Sequence, residues 1–269
     1  MTERLELARV LQTNETSAMR SLTISRSARR HGVRARTVGG AFCVASRSFP
    51  IALLHRAVGL GTVVDATPRL LDRVVRFYGR AGLAARVEVA ERVGPGSLVR
   101  LLERAGFARE EERHVVHVLE TDVPPAAPTV AGLRIARASP ARFGRAVRDG
   151  FEAEGAIGEF FERASAAAAR VFLERALPLV PLLDGEVAGS ALLWLSPRVA
   201  GLYSGSVTTP FRGRGIQLAL IGERVRLGLL RRRRIFTSQT EGDGPSAHNL
   251  RDAGFRPLYE AAYFIRDTS

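Results

Sequence analysis

The chain has 269 residues, 46% hydrophobic and 25% charged, a composition that fits a folded globular protein and excludes a disordered or fibrous one. Its formal charge of +13 comes from arginine alone, since no lysine occurs; the arginines are spread along the whole sequence, so no nucleic-acid partner is expected. One cysteine, Cys43, excludes an internal disulfide, no histidine pair has helical metal-ligand spacing, and no apolar run approaches membrane-spanning length, so neither a metal nor a membrane is expected.

The first ten residues, "MTERLELARV", mix acids and arginines with apolar side chains, unlike a signal peptide, and the expected compartment is the cytoplasm. Residues 1–122 are less regular than the rest. They contain a strand pattern "ALLHRAVGLG", a helix "PRLLDRVVRFYGRAGL", a strand "ARVEVAE" and a helix-to-strand passage "LERAGF". His114 and His117 in "RHVVHVLE" would point to opposite faces of a strand. "DVPPAAPTVAGLRI" then concentrates three prolines, and residues 123–129 are expected to form an extended linker between domains 1–122 and 130–269.

Beyond the linker, "GLRIARAS" reads as a strand. "SPARFGRAVRDGF" reads as a helix capped by Ser139 with Pro140 in the first turn, and "IGEFFERASAAAARVFLERAL" as a longer one. "LPLVPLLDG" and "EVAGSALLWLSP" form a hairpin around Asp-Gly. A strand "AGLYSGSVTT", a helix over 216–230, a strand "RIFTSQTE", a short helix "SAHNLRDAGF" and a closing strand "RPLYEAAYFIRD" complete the order βααβββαβαβ. Shifting the chain by 148 positions lays "LERAGF" on "LRDAGF" and brings three other elements of the first half onto the second, the pattern of a duplication. Where the second half has "TTPFRGRGIQ", the first has "GTVVDATPRL" without paired glycines, so the first half reads as a degenerate copy.

The stretch "VTTPFRGRGIQLALIGE" runs from a strand through Pro210 and a glycine-rich turn into a helix. Gly213 and Gly215 permit close backbone approach, and a helix entrance offers unpaired N–H groups with about half a positive charge, an arrangement suited to a diphosphate. These residues, with the following "NLRDAGFRPLY", resemble the GNAT superfamily of acyl-CoA-dependent N-acyltransferases. Arg212 and Gly215 match its Arg/Gln-x-x-Gly-x-Gly/Ala pattern, and Gln217 departs from it at the last position. The resemblance covers residues 130–269 and implies two tandem GNAT-like mixed α/β domains, the first degenerate. It implies acetyl-CoA as acyl donor. Backbone amides of Gly213, Arg214, Gly215, Ile216, Gln217 and Leu218 would hold its pyrophosphate, Ser206 and Val207 its pantetheine arm, and Asn249 a further contact; Arg212 and Arg214 would add charge.

Many members of that superfamily place a glutamate on the strand before the turn and a tyrosine four residues before the glycine of the closing unit. Here the strand has no carboxylate, and Leu250 stands at the second position. Tyr203 on the strand and Glu241 after the neighbouring one are the catalytic candidates, with His248 a third. The expected activity is transfer of an acetyl group to a primary amine of a small molecule or peptide by direct attack. The alternative is a non-catalytic acyl-CoA-binding or sensing module.

Overall fold

The computed structural model describes residues 3–49 and 51–268. In chain order the elements are α1 (Glu3–Leu22), α2 (Arg26–Arg30), β1 (Arg34–Val38), β2 (Ala41–Ala45), β3 (Arg56–Val58), α3 (Pro68–Gly79), β4 (Ala85–Ala90), α4 (Gly96–Arg104), β5 (Ala108–Glu120), β6 (Leu133–Arg137), α5 (Pro140–Gly150) and α6 (Gly155–Val171). There follow β7 (Ala176–Leu183), β8 (Glu186–Val187), β9 (Gly189–Leu195), β10 (Val199–Val207), α7 (Ile216–Leu230), β11 (Ile235–Glu241), α8 (Pro245–Asp252) and β12 (Arg256–Arg266). Contacts divide the chain into unit 1, Met1–Thr23, Ala28–Val116 and Pro257–Ser269, and unit 2, Ile24–Ser27 and His117–Arg256. No described helix is long and apolar enough to cross a membrane.

This division differs from a cut at the proline segment. The change of unit falls inside β5, and the closing strand β12 lies in unit 1, where it pairs antiparallel with β4 from Ala261↔Ala90 to Arg266↔Ala85. A strand pattern fixes which residues are extended but not which neighbour they pair with. β12 is apolar on both faces, burying Leu258, Tyr259, Ala261, Ala262, Tyr263 and Phe264, as an interior strand must. In unit 1 the strand order is β1-β2-β3-β4-β12-β5. α3 and α4 pack Leu70, Leu71, Val74, Leu98 and Leu102 against Cys43, Val87, Val89 and Phe264.

In unit 2 the order runs from the end of β5 through β11, β10, β9 and β7 to β6, with β8 on β7. The hairpin between β7 and β8 turns at Asp184 and Gly185, both at positive φ, as a two-residue Asp-Gly turn requires. Alternation along β7 separates two faces. Leu177, Leu179 and Leu183 meet the α7 side chains Ile216, Leu220, Ile221 and Val225, while Val180 and Leu182 meet Ala146 of α5. Ser139 caps α5 by accepting from the Arg142 amide at 3.3 Å. α6 ends at Val171, short of the sequence expectation, because the chain turns at Phe172–Arg175 to enter β7.

The proline segment forms neither helix nor strand, and it is not a free tether. A Cβ on Gly215 would meet Pro128 Cγ at 2.9 Å, and one on Gly222 would meet the Ala127 Cβ at 3.1 Å. Seven residues apart, these glycines share one face of α7. Prolines bring no N–H groups that would be left unsatisfied against it.

The 148-residue offset reappears in the elements. β2 and β9 begin at 41 and 189, α3 and α7 at 68 and 216, β5 and β12 at 108 and 256.

Candidate functional site

The site lies in unit 2 where β10 leaves its neighbours. β10 pairs in parallel with β11 only from Val199↔Ile235 to Gly201↔Thr237, although both strands continue, so their later residues diverge. Against β9 the register jumps between Tyr203↔Leu192 and Ser206↔Ser190, with Ser204 at φ 48. This bulge takes Ser204 and Gly205 out of the ladder with β9. Ser190 fixes it by donating its hydroxyl to the Ser204 carbonyl at 2.8 Å and pairing with the Ser206 hydroxyl at 2.8 Å. Gly150 and Gly189 must be glycines here, because a Cβ on either would fall about 2 Å from an oxygen of Ser206.

Beyond the bulge, a short 3-10 turn at Thr209–Phe211 leads to Gly213 and Gly215, at φ 75 and φ 78. Gly215 is the N-cap residue of α7, in the left-handed region, with no side chain to satisfy the helix entrance. Ala219 makes the first backbone bond, to the Gly215 carbonyl at 3.1 Å, which leaves the amides of Ile216, Gln217 and Leu218 without intrahelical acceptors. Space around the Gly213 Cα is open, whereas that around Gly215 is closed by Pro128.

These elements enclose a cavity of about 850 Å³. Of the residues singled out from the sequence, Ser206, Val207, Arg212, Gly213, Gly215, Ile216, Gln217, Leu218 and Asn249 line it. Arg214 does not; it is exposed, with its guanidinium 5.8 Å from the Phe211 ring centroid. The Arg212 guanidinium donates to the Val207 carbonyl at 3.0 Å and to Glu152 at 2.9 Å. A hydrogen bond from the Thr209 hydroxyl, then Arg212, holds the Glu152 carboxyl below its ordinary range. Arg212 thus ties the β10–α7 turn to the end of α5. The Gln217 Oε1 atom is buried with no hydrogen-bond partner.

Neither Tyr203 nor Glu241 lines the cavity. Tyr203 is half-buried at the start of the bulge, and Glu241 is the exposed last residue of β11. His248 does line it, from α8. Sequence reasoning missed Gly150 and Phe151, which complete the wall beside Ser206; a phenylalanine just past a glycine at a helix end was the available signal. It also missed Arg224, an interior α7 residue only 2% exposed.

No family model matches the sequence, and no curated protein matches it. Solved structures do. A GCN5-related N-acetyltransferase from Kribbella flavida superposes with a TM-score of 0.64 at 16% identity over 93% of each chain. A tandem GNAT protein from the clavulanic acid biosynthesis pathway gives 0.66 at 17% identity, over 86% of this chain and 79% of that one. Another GCN5-related N-acetyltransferase, from Sphaerobacter thermophilus, gives 0.57 at 18% identity over 86% and 81%. At these identities the likeness is one of architecture, and it extends over most of the chain: the protein has the fold of the GNAT N-acetyltransferases.

Proposed function

We propose that unit 2 binds acetyl-CoA and transfers its acetyl group to a primary amine. The observation that carries this reading is the uncapped entrance of α7, whose first three residues line a cavity that continues along a splayed, bulged strand. The residues present fit the donor. Amides from Gly213 to Leu218 would hold the pyrophosphate. Backbone groups of Ser206 and Val207 would pair with the pantetheine arm, and the buried, unpartnered Gln217 Oε1 would accept from one of its amide N–H groups. Asn249 and the apolar face of Phe151 would complete the contact. Arg212 would act chiefly by fixing the turn, since Glu152 already faces its guanidinium.

The donor, when bound, would supply a thioester carbonyl. A neutral amine would add to its carbon, forming C–N as negative charge gathers on the oxygen. C–S cleavage would then release the thiolate, and the proton lost by the nitrogen would pass to it, giving amide and thiol. The Ser204 and Gly205 amides, outside the β9 ladder, would face the oxygen. His248 is the one imidazole in the cavity wall and takes the first place among proton carriers; Tyr203 and Glu241 would act through water. Cys43 is no rival nucleophile, because burial pushes its thiol up to about 12.

The duplication offset supports reading unit 1 as a copy that has lost its cradle. The position of Tyr203 and Glu241 outside the cavity favours one alternative, a module that binds acyl-CoA without turnover. An amine panel assayed by release of free thiol separates the two: turnover on at least one amine is expected, and binding without thiol release on any would favour the sensor.

A further inference from the structure

Arg224 lies in the middle of α7, 2% exposed, and no carboxylate pairs with it among the described residues. Its Nε donates to the Leu220 carbonyl at 3.0 Å and its Nη1 to the Tyr203 carbonyl at 3.5 Å. A Cβ on Gly205 would stand 3.2 Å from both Nη atoms and 3.3 Å from the Gln217 Nε2. A full charge therefore sits directly beneath the bulge of β10 with only backbone carbonyls for partners. Burial alone acts on it, pushing its guanidinium down to about 9. An uncompensated buried charge weakens a fold unless something else retains it.

We propose that Arg224 is a positioning residue for acyl transfer, a fixed cation that polarises the Tyr203–Ser204 peptide and so strengthens the Ser204 N–H toward the donor's carbonyl oxygen. The inference rests on the reading of unit 2 as an acetyl-CoA site. The physical case is the complementarity of two deficits. The bulge has amides without ladder partners, and the helix beneath holds positive charge without an anion. Negative charge arising on an oxygen above the bulge would answer both. Gly205 keeps this arrangement compact, since a side chain there would press on the guanidinium. The Gln217 amide group, beside the same spot, adds N–H donors and no negative charge.

The test is the infrared carbonyl stretch of acetyl-CoA carrying ¹³C at the thioester carbon, bound to the wild type, Arg224→Met and Arg224→Lys, with thermal melts of each. The stretch is expected to fall on binding to the wild type, to return toward the free value in Arg224→Met and to be partly restored in Arg224→Lys. The Arg224→Met melt should be equal to or above wild type. With an accepted amine, kcat should drop roughly tenfold or more while acetyl-CoA affinity is kept. Identical stretches in wild type and Arg224→Met, or a lowered melt with unchanged stretch, would overturn the proposal, as a purely structural arginine would give the second result. Gly205→Ala gives an independent check, because it displaces the guanidinium without removing it and should also raise the stretch. If labelled acetyl-CoA does not bind the wild type, the acetyl-CoA reading itself falls, and this inference with it.

Discussion

α3 and α7 start 148 residues apart, the same offset that relates β2 to β9 and β5 to β12, yet their entrances are built in opposite ways. α3 opens with Pro68, and the Thr67 hydroxyl accepts from the Leu70 amide at 3.2 Å. The preceding loop also closes on itself, the amides of Thr62, Val63 and Val64 all donating to the Gly59 carbonyl. α7 opens with a left-handed glycine and nothing caps it. The anion site proposed at α7 would come from partners left out, not from residues added.

The buried arginines repeat the contrast. Arg56, which the same offset aligns with Ser204 of the bulge, is also 2% exposed, but it meets Glu15 and Glu88 and donates to the Tyr263 hydroxyl at 2.7 Å. Burial works against its charge, yet Tyr263, Glu15 and Glu88 outweigh burial and hold it protonated. Gln12 closes the group by donating to Glu88 at 3.2 Å. Where unit 2 has an open bulge over an unanswered cation, unit 1 has a cation paired with two carboxylates.

The sharpest way to break this comparison is one substitution made twice. Arg56→Met would strand two buried carboxylates and should cost about 3–5 kcal/mol in denaturant unfolding, whereas Arg224→Met should be neutral or stabilising. Equal losses would mean that the two arginines serve the same purpose. A smaller effect is expected of Thr67→Ala, about 1 kcal/mol from the lost cap, with no change in acetyl-CoA affinity.

The pH response separates the units by direction and should run in opposite senses in the two. Burial, the largest influence on Glu88, pushes its carboxyl up from 4.5 to about 7, so unit 1 binds the more protons when folded and loses stability as pH rises through that window. Burial, then Arg251, pushes His117 down from 6.5 to about 4, so unit 2 binds fewer protons when folded and loses stability as pH falls through that window. Trp194, the one tryptophan, reports unit 2 by fluorescence, and hydrogen exchange reports both units. Glu88→Gln should flatten the unit 1 response and leave the Trp194 signal unchanged.

Much of this was legible in the sequence, because local signals carry local structure. α7 spans the expected residues 216–230, Ser139 caps α5, and Asp184-Gly185 makes the hairpin turn. The glycine turn into α7 was legible for the same reason, its glycines and helix start being contiguous. The assignment of β12 to unit 1 was not, since pairing partners leave no local mark. Nor was Arg224, which reads as one arginine among many until burial shows that it lacks a counter-ion. The bulge was hidden too; Ser204-Gly205 looks like ordinary strand until the register with β9 is known.

The most direct test is calorimetric titration of acetyl-CoA into the wild type and Gly213→Glu. Gly213 lines the cavity and a Cβ there meets nothing, so the variant's structural cost is confined to its positive φ, about 1–2 kcal/mol. The account predicts saturable binding to the wild type and at least a tenfold loss, roughly, in the variant, whose carboxylate would repel phosphates at the α7 entrance. Equal affinity in both, or no binding to the wild type, would contradict it.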